Sequence, residues 1–279
     1  MSKAASSVER YWAGQVDLMR SLPGAVRRRE PDSIHDLRAA GRRLRATIRI
    51  YRPLLPQKQA ARLLDGLRWY NGVLGEARDA EVAAQHVGKL LEVVSGGSSL
   101  PGSDELIARL AEHQERTAAA ADEMLSSGRS KALMEELSRF VAAPWRAPMA
   151  RGGRGPRRSQ IVKRVAWAER RASTVWEQFD GASLASEALA PTRHRLRRRI
   201  KAARYGYESL GGTVKDASER AERHAGAADV LGEMQDAVVL EEVLSGDSSP
   251  AAQAVLSEQR NRSLDAAERA TGIVRDALA

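Results

Sequence analysis

No cysteine occurs among the 279 residues. That excludes disulfide frameworks, thiolate nucleophiles and cysteine-ligated zinc or iron–sulfur sites. Aromatic residues make up only 4 % and β-branched runs are few, which disfavours sheet. No stretch approaches about eighteen uninterrupted apolar residues. The opening Met1-Ser2-Lys3-Ala4-Ala5 has none of the apolar core of a signal peptide. A cytoplasmic protein without membrane contact is therefore expected. A Gly-rich phosphate loop is missing too, and no carboxylate–histidine pair at metal-ligand spacing recurs along the chain, so no metal or other cofactor is expected.

Arginine is abundant. Lys and Arg total 45 against 36 Asp and Glu, a formal charge of +9, which points to an anionic partner. Seven of the cations are Lys and the other 38 are Arg, whose rigid guanidinium fork matches phosphate oxygens. Hydrophobic residues are 43 %, and the chain is dominated by Ala, Leu, Arg and Glu, all good helix formers. The fold class expected is all-α.

Apolar residues recur at helical spacing nearly throughout. This periodicity predicts helices over 5–28, 33–53, 56–94, 103–127, 129–142, 159–179, 192–211, 214–245 and 249–278. Breakers mark their ends, among them Pro31-Asp32-Ser33, Pro53, Pro191-Thr192 and Gly211-Gly212. One conspicuous linker, 143–158, holds three Pro, three Gly and five Arg. It reads as a flexible, solvated connector whose arginines could add loose contacts to an anion. The expectation is one domain over 1–279, with an N-terminal helical half at 5–142 and a C-terminal half at 159–279.

The halves resemble each other. With His35 set against His194, Arg38 meets Arg197, Arg42 meets Lys201 and Arg45 meets Arg204. On the apolar side Leu37 meets Leu196, Ile48 meets Tyr207 and Tyr51 meets Leu210. A second block follows, Leu74-Gly75-Glu76-Ala77-Arg78-Asp79 against Leu231-Gly232-Glu233-Met234-Gln235-Asp236. From His to Asp is 44 residues in one half and 42 in the other. An internal duplication, two copies deep, predicts two pseudo-symmetric antiparallel helical bundles.

At about 100° per residue, His35, Arg38, Arg42, Arg45 and Arg49 fall within an arc of roughly 80° and run along about 20 Å of helix. Leu37, Leu44, Ile48, Tyr51 and Leu55 form a separate stripe that can pack the helix onto its bundle. The second copy repeats the basic row with His194, Arg197, Lys201 and Arg204, but Glu208 stands where Arg49 would be. Stacked like charges cost a few tenths of a kcal/mol per pair, so the repeated spacing predicts a partner that offsets the repulsion. His35 and His194 each lie just after a proline breaker, where free backbone N–H groups favour anions. His86, His113 and His224 read as packing or capping residues. Gly75 and Gly232, unfavourable inside helices, predict close helix approach. Glu76 with Asp79, and Glu233 with Asp236, are expected to hold stripe residues in place rather than to act as acid and base, since no recurrent nucleophile accompanies them.

These residues resemble a known family. Ile34-His35-Asp36-Leu37-Arg38, Arg42-Arg43-Leu44-Arg45, Leu67-Arg68-Trp69 and the Leu74–Asp79 block resemble the N-terminal half of the CHAD domain, the conserved histidine α-helical domain. His194-Arg195-Leu196-Arg197, Lys201, Arg204-Tyr205 and Gln235-Asp236 resemble its C-terminal half. The resemblance implies two helical bundles around a basic central groove, inorganic polyphosphate as ligand, and association with polyphosphate granules. The family's groove residues correspond to His35, Arg38, Arg42, Arg43, Arg45, His194, Arg197, Lys201 and Arg204. Ala202 and Ala203 replace the cation and leucine common after Lys201, which predicts a weaker second row. The Glu-x-Glu-x-Lys strand of the triphosphate-hydrolysing domain that accompanies some relatives is not found. The expectation is thus non-catalytic polyphosphate binding. The alternative is nucleic-acid binding through backbone phosphates, against which the rows carry no aromatic for base stacking. An enzyme acting on phosphate compounds is the third class and has the least support.

Overall fold

The computed structural model describes residues 2–96, 99–146, 155–179 and 181–279. Ten α-helices and no strand occur among them. They are α1 (Lys3–Ser21), α2 (Pro23–Arg27), α3 (Ser33–Tyr51), α4 (Gln57–Ser95), α5 (Ser103–Ser126), α6 (Gly128–Ala142), α7 (Arg158–Trp176), α8 (Ala190–Leu210), α9 (Ala217–Val243) and α10 (Pro250–Leu278). No described helix is long and apolar enough to cross a membrane.

The ends follow local chemistry. Ser2, Ser127 and Ser249 cap α1, α6 and α10 by accepting from the N–H groups of Ala5, Ser130 and Ala252. Pro250 opens α10, where its missing N–H has no helical partner to lose. Asp32 and Asp216 take left-handed backbone just before α3 and α9. The first helix departs from expectation. It breaks at Leu22 and restarts at Pro23, because proline cannot donate the bond that would continue α1.

The apolar stripes face inward. In α3, Leu37, Leu44, Ile48 and Tyr51 are fully buried; in α8, so are Leu196, Ile200 and Ala203. α3 packs on α1, α4 and α8, while α8 packs on α7, α9 and α3. One cluster centres on Trp12 of α1, whose ring meets those of Tyr51, Phe140 and Trp145 at 5.8, 4.9 and 5.2 Å between centroids. Ile161, Val165 and Ala168 of α7 join this cluster across the chain's midpoint. A second cluster between α8, α9 and α10 is rich in alanine, which lets those helices approach closely. A third joins α4 and α5 to α9 and α10. Apolar packing therefore runs through both halves of the chain.

Part of the segment 143–158 belongs to this packing and not to solvent. Trp145 is buried against Trp12 and its indole N–H donates to Glu9 Oε1 at 2.5 Å. Residues 147–154, with most of its glycines, lie outside the described residues.

Polar ties fix α3 against α8. The Tyr51 hydroxyl lies 2.8 Å from Ser209 Oγ, which itself donates to the Gly206 carbonyl at 2.7 Å. At Gly206 a Cβ would stand 3.2 Å from Val165 and 3.3 Å from Ile50. A larger residue would push α3 and α7 off α8. This close seam brings the two basic rows onto neighbouring helices.

Candidate anion-binding site

Where α3 meets α8, cations from both rows crowd together. Arg38 is influenced by the charges of Arg42, Arg78 and Arg197. Arg42 is in turn felt by Arg197 and Lys201. Arg42 Nε is sealed from solvent and has no hydrogen-bond partner among the described residues, an arrangement that is costly for a charged group. Lys201 carries the largest consequence. Burial first, then Arg197 and Arg42, push its ammonium pKa down to about 7, with only Asp229 among the leading influences opposing them. His35 is likewise lowered, by desolvation and by Arg78 and Arg42.

The block around each helical glycine supports these cations. Arg38 lies over Gly75 of α4, where a Cβ would sit 3.5 Å from its Nε and Nη2. Arg197 lies over Gly232 of α9 more tightly, at 2.9 Å from Cβ to Nη2, and its Nε donates to the Ala228 carbonyl at 3.2 Å. The two glycines thus make room for a guanidinium against helix backbone, a more specific role than helix approach alone. Arg38 Nη2 pairs with Asp79 Oδ1 at 3.3 Å. Asp236 faces Arg197, His86 and Lys201, whose charges oppose the burial that raises its carboxyl pKa. His194 Nδ1 lies 3.1 Å from Gln235 Oε1.

Two expected supports stand elsewhere. Glu233 pairs with Arg269 of α10 at 2.6 Å instead of reaching the row on α8. Glu76 is exposed and makes no ion pair among the described residues. Position explains both. Asp79 and Asp236, three residues on in the same helices, are the carboxylates that face Arg38 and Arg197.

The rows also divide. Arg45 and Arg49 do not join the Arg42–Lys201 crowd. Arg45 is lowered by burial and by Arg49, Arg68 and Arg198. Arg199 is lowered by burial and by Arg171, Arg49, Arg198 and Arg195. This second cation group includes Arg198 and Arg199, which the row pattern on α8 passes over because they lie on its adjoining faces. Arg43 and Arg204 are held by Glu208. Its carboxylate receives Arg204 Nε at 2.7 Å and lies 3.4 Å from Arg43 Nε. Of the remaining histidines, His224 is buried with Nδ1 donating to the Arg220 carbonyl at 2.7 Å, and His86 Nε2 lies 2.6 Å from Gln259 Oε1. His113 is exposed and neither packs nor caps.

Lys201 has its pKa lowered from 10.5 to about 7 by the fold, so between those values the unfolded chain binds more protons and stability rises with pH. Lys201→Met should be more stable than the parent near neutrality, by a margin that narrows toward pH 10. Denaturant unfolding at low salt across that range checks this, and parallel pH profiles for the two proteins would contradict it.

The sequence matches the CHAD domain family over residues 10–245. No curated protein matches it. Among solved structures, PptA from Streptomyces chartreusis superposes with a TM-score of 0.73 at 17 % identity, covering 98 % of each chain. The crystal structure of the CHAD domain from the plant Ricinus communis superposes at 0.72 with 21 % identity, covering 99 % of this chain and 92 % of that one. Both likenesses concern the fold. The matched span takes in α3, α4, α8 and α9, the four helices that build the cationic site, and the chain belongs to the CHAD domain family.

Proposed function

We propose that the protein binds inorganic polyphosphate without chemically altering it, and that it associates with polyphosphate granules in the cytoplasm. The observation that carries this reading is the meeting of Arg38, Arg42, Arg197 and Lys201 at the α3–α8 seam, with Arg42 Nε buried and without a hydrogen-bond partner among the described residues. A site so short of anions gains stability from any ligand that supplies them, and a chain of phosphates supplies several at once. Family membership favours the same ligand.

We also read the site as a groove shared by two copies of one unit. Equivalent residues serve equivalent purposes, as with Arg38 over Gly75 and Arg197 over Gly232. Asp79 and Asp236 face those arginines from matching positions. The second cation group, around Arg45, Arg49, Arg198 and Arg199, lets a long chain continue beyond the Arg42–Lys201 pair. Its several weak contacts then act together, so affinity should climb with chain length and fall with salt. His35, whose pKa burial and then Arg78 and Arg42 lower, adds a contact that strengthens as it becomes protonated, and His194 adds a further contact.

A titration with polyphosphates of graded length tests the reading. The double variant Arg42→Gln with Lys201→Gln should lose roughly a hundredfold in affinity for long chains, taking about tenfold for each charge-assisted contact, while its helical circular dichroism stays unchanged. Duplex DNA at equal phosphate concentration should fail to displace the chain; displacement would favour nucleic acid as the partner. Gly232→Ala offers a separate check. The flexible Arg197 head can move away from the new Cβ, and alanine favours helix by about 1 kcal/mol. The variant should hold or gain stability yet bind polyphosphate several-fold more weakly, whereas Gly75→Ala, with its looser 3.5 Å contact, should bind normally. Equal affinity for both variants would show that Arg197 needs no such seat.

A further inference from the structure

Glu208 lies in the site without belonging to its chemistry. It occupies the place in the second row that Arg49 takes in the first, and its side chain is only 20 % exposed. Three elements converge on it. The Tyr11 hydroxyl of α1 donates to Oε2 at 2.8 Å, Arg204 Nε of α8 donates to Oε1 at 2.7 Å, and Arg43 Nε of α3 lies 3.4 Å from Oε2. Burial works against the Arg204 charge, yet the hydrogen bond and charge of Glu208 raise its pKa. The tyrosine is lodged as firmly, its hydroxyl pKa raised by burial and by Glu208. A carboxylate between two guanidiniums, fixed by a third donor, occupies the position that a phosphate would take on the same two arginines.

We propose that Glu208 is a specificity-determining residue that withholds two arginines from the anion. It acts as an internal substitute for a phosphate group, engaging Arg43 and Arg204 so that a ligand gains little from them. The Arg38–Arg42–Arg197–Lys201 crowd then stands as the anchoring point, and the second cation group around Arg45 and Arg49 offers further contacts that only a long chain gains. Short phosphate chains, which cannot reach that second group, are disfavoured relative to long ones. Discrimination by length thus depends on a carboxylate that touches no ligand. This inference rests on the polyphosphate reading and concerns only how the site selects among phosphate chains.

The test is a comparison of tripolyphosphate with long-chain polyphosphate on the parent protein and on Glu208→Gln. The glutamine keeps the size and can still accept from Tyr11, but it frees both arginines. Its affinity for tripolyphosphate should rise by about tenfold or more, as expected for new charge-assisted contacts. For long chains the gain should be smaller, and the salt dependence should steepen by up to two released counterions. Unchanged affinity and salt slope for tripolyphosphate would overturn the proposal while leaving long-chain binding by the parent intact. Failure of the parent to bind any phosphate chain would overturn the proposal and the polyphosphate reading together. Arg43→Gln gives a second measurement that holds even if the Glu208 variant does not fold. In the parent it should cost less than about threefold, because Arg43 is already engaged; a loss of tenfold there would also overturn the proposal.

Discussion

Like charges held against one another at the α3–α8 seam are the constraint on which the rest of this structure depends. Two arginine-bearing helices do not approach one another unaided. Here the approach is imposed from behind. Leu37, Leu44, Ile48 and Tyr51 bury one side of α3, and Leu196, Ile200 and Ala203 bury one side of α8. Gly206 and the Tyr51–Ser209 hydrogen bond then draw the backbones close. Burying a leucine-sized side chain contributes about 1.5–3 kcal/mol, against tenths for each repulsive pair at a helix surface. Packing wins, and the repulsion remains as a standing demand for counter-charge.

The protein meets that demand only in part. Asp79 pairs with Arg38 in a half-exposed bridge of the kind that contributes at most about 1 kcal/mol. Asp236 is itself made harder to ionise by its surroundings. Glu208 engages two arginines, Arg43 and Arg204. Arg42 and Lys201 are left with too few anions: burial first, then Arg197 and Arg42, lowers the lysine pKa, and only Asp229 among the leading influences opposes them. Perturbed groups of this sort cluster where ligands bind. Neutralised arginines beside Glu208 and under-compensated cations around Arg42 thus share one seam, a contrast that net charge alone would not reveal.

Much of this was legible in the chain. Apart from the break at Leu22–Pro23, helix ends agreed with the breakers, because proline and capping residues act locally. The apolar and basic stripes of α3 and α8 were readable because both obey one helical period, and pairing His35 with His194 found the two glycines and aspartates that seat Arg38 and Arg197. The failures share one cause. Periodicity says which residues share a face but not which helix lies opposite. Glu76 and Glu233 looked equivalent to Asp79 and Asp236, yet one turn of register sends Glu233 to Arg269. Arg45 and Arg49 belonged to the row by angle and left it by neighbourhood, toward Arg198 and Arg199. Trp145 sat among glycines and prolines and still packed on Trp12. Glu208 was visible as an interruption in a row, but Tyr11, which fixes it, lies 197 residues away in sequence.

If the uncompensated charge at the seam is what draws the ligand, binding must change the protonation of Lys201. Below its pKa of about 7 the ammonium is already charged; above it, a polyanion raises the pKa and a proton is taken up. Calorimetric titration of long-chain polyphosphate at about pH 7.5, in two buffers of different ionisation enthalpy, counts that proton directly. Net uptake is expected for the parent protein, and loss of most of it in Lys201→Arg, whose charge is permanent. Tight binding with no proton uptake would contradict it.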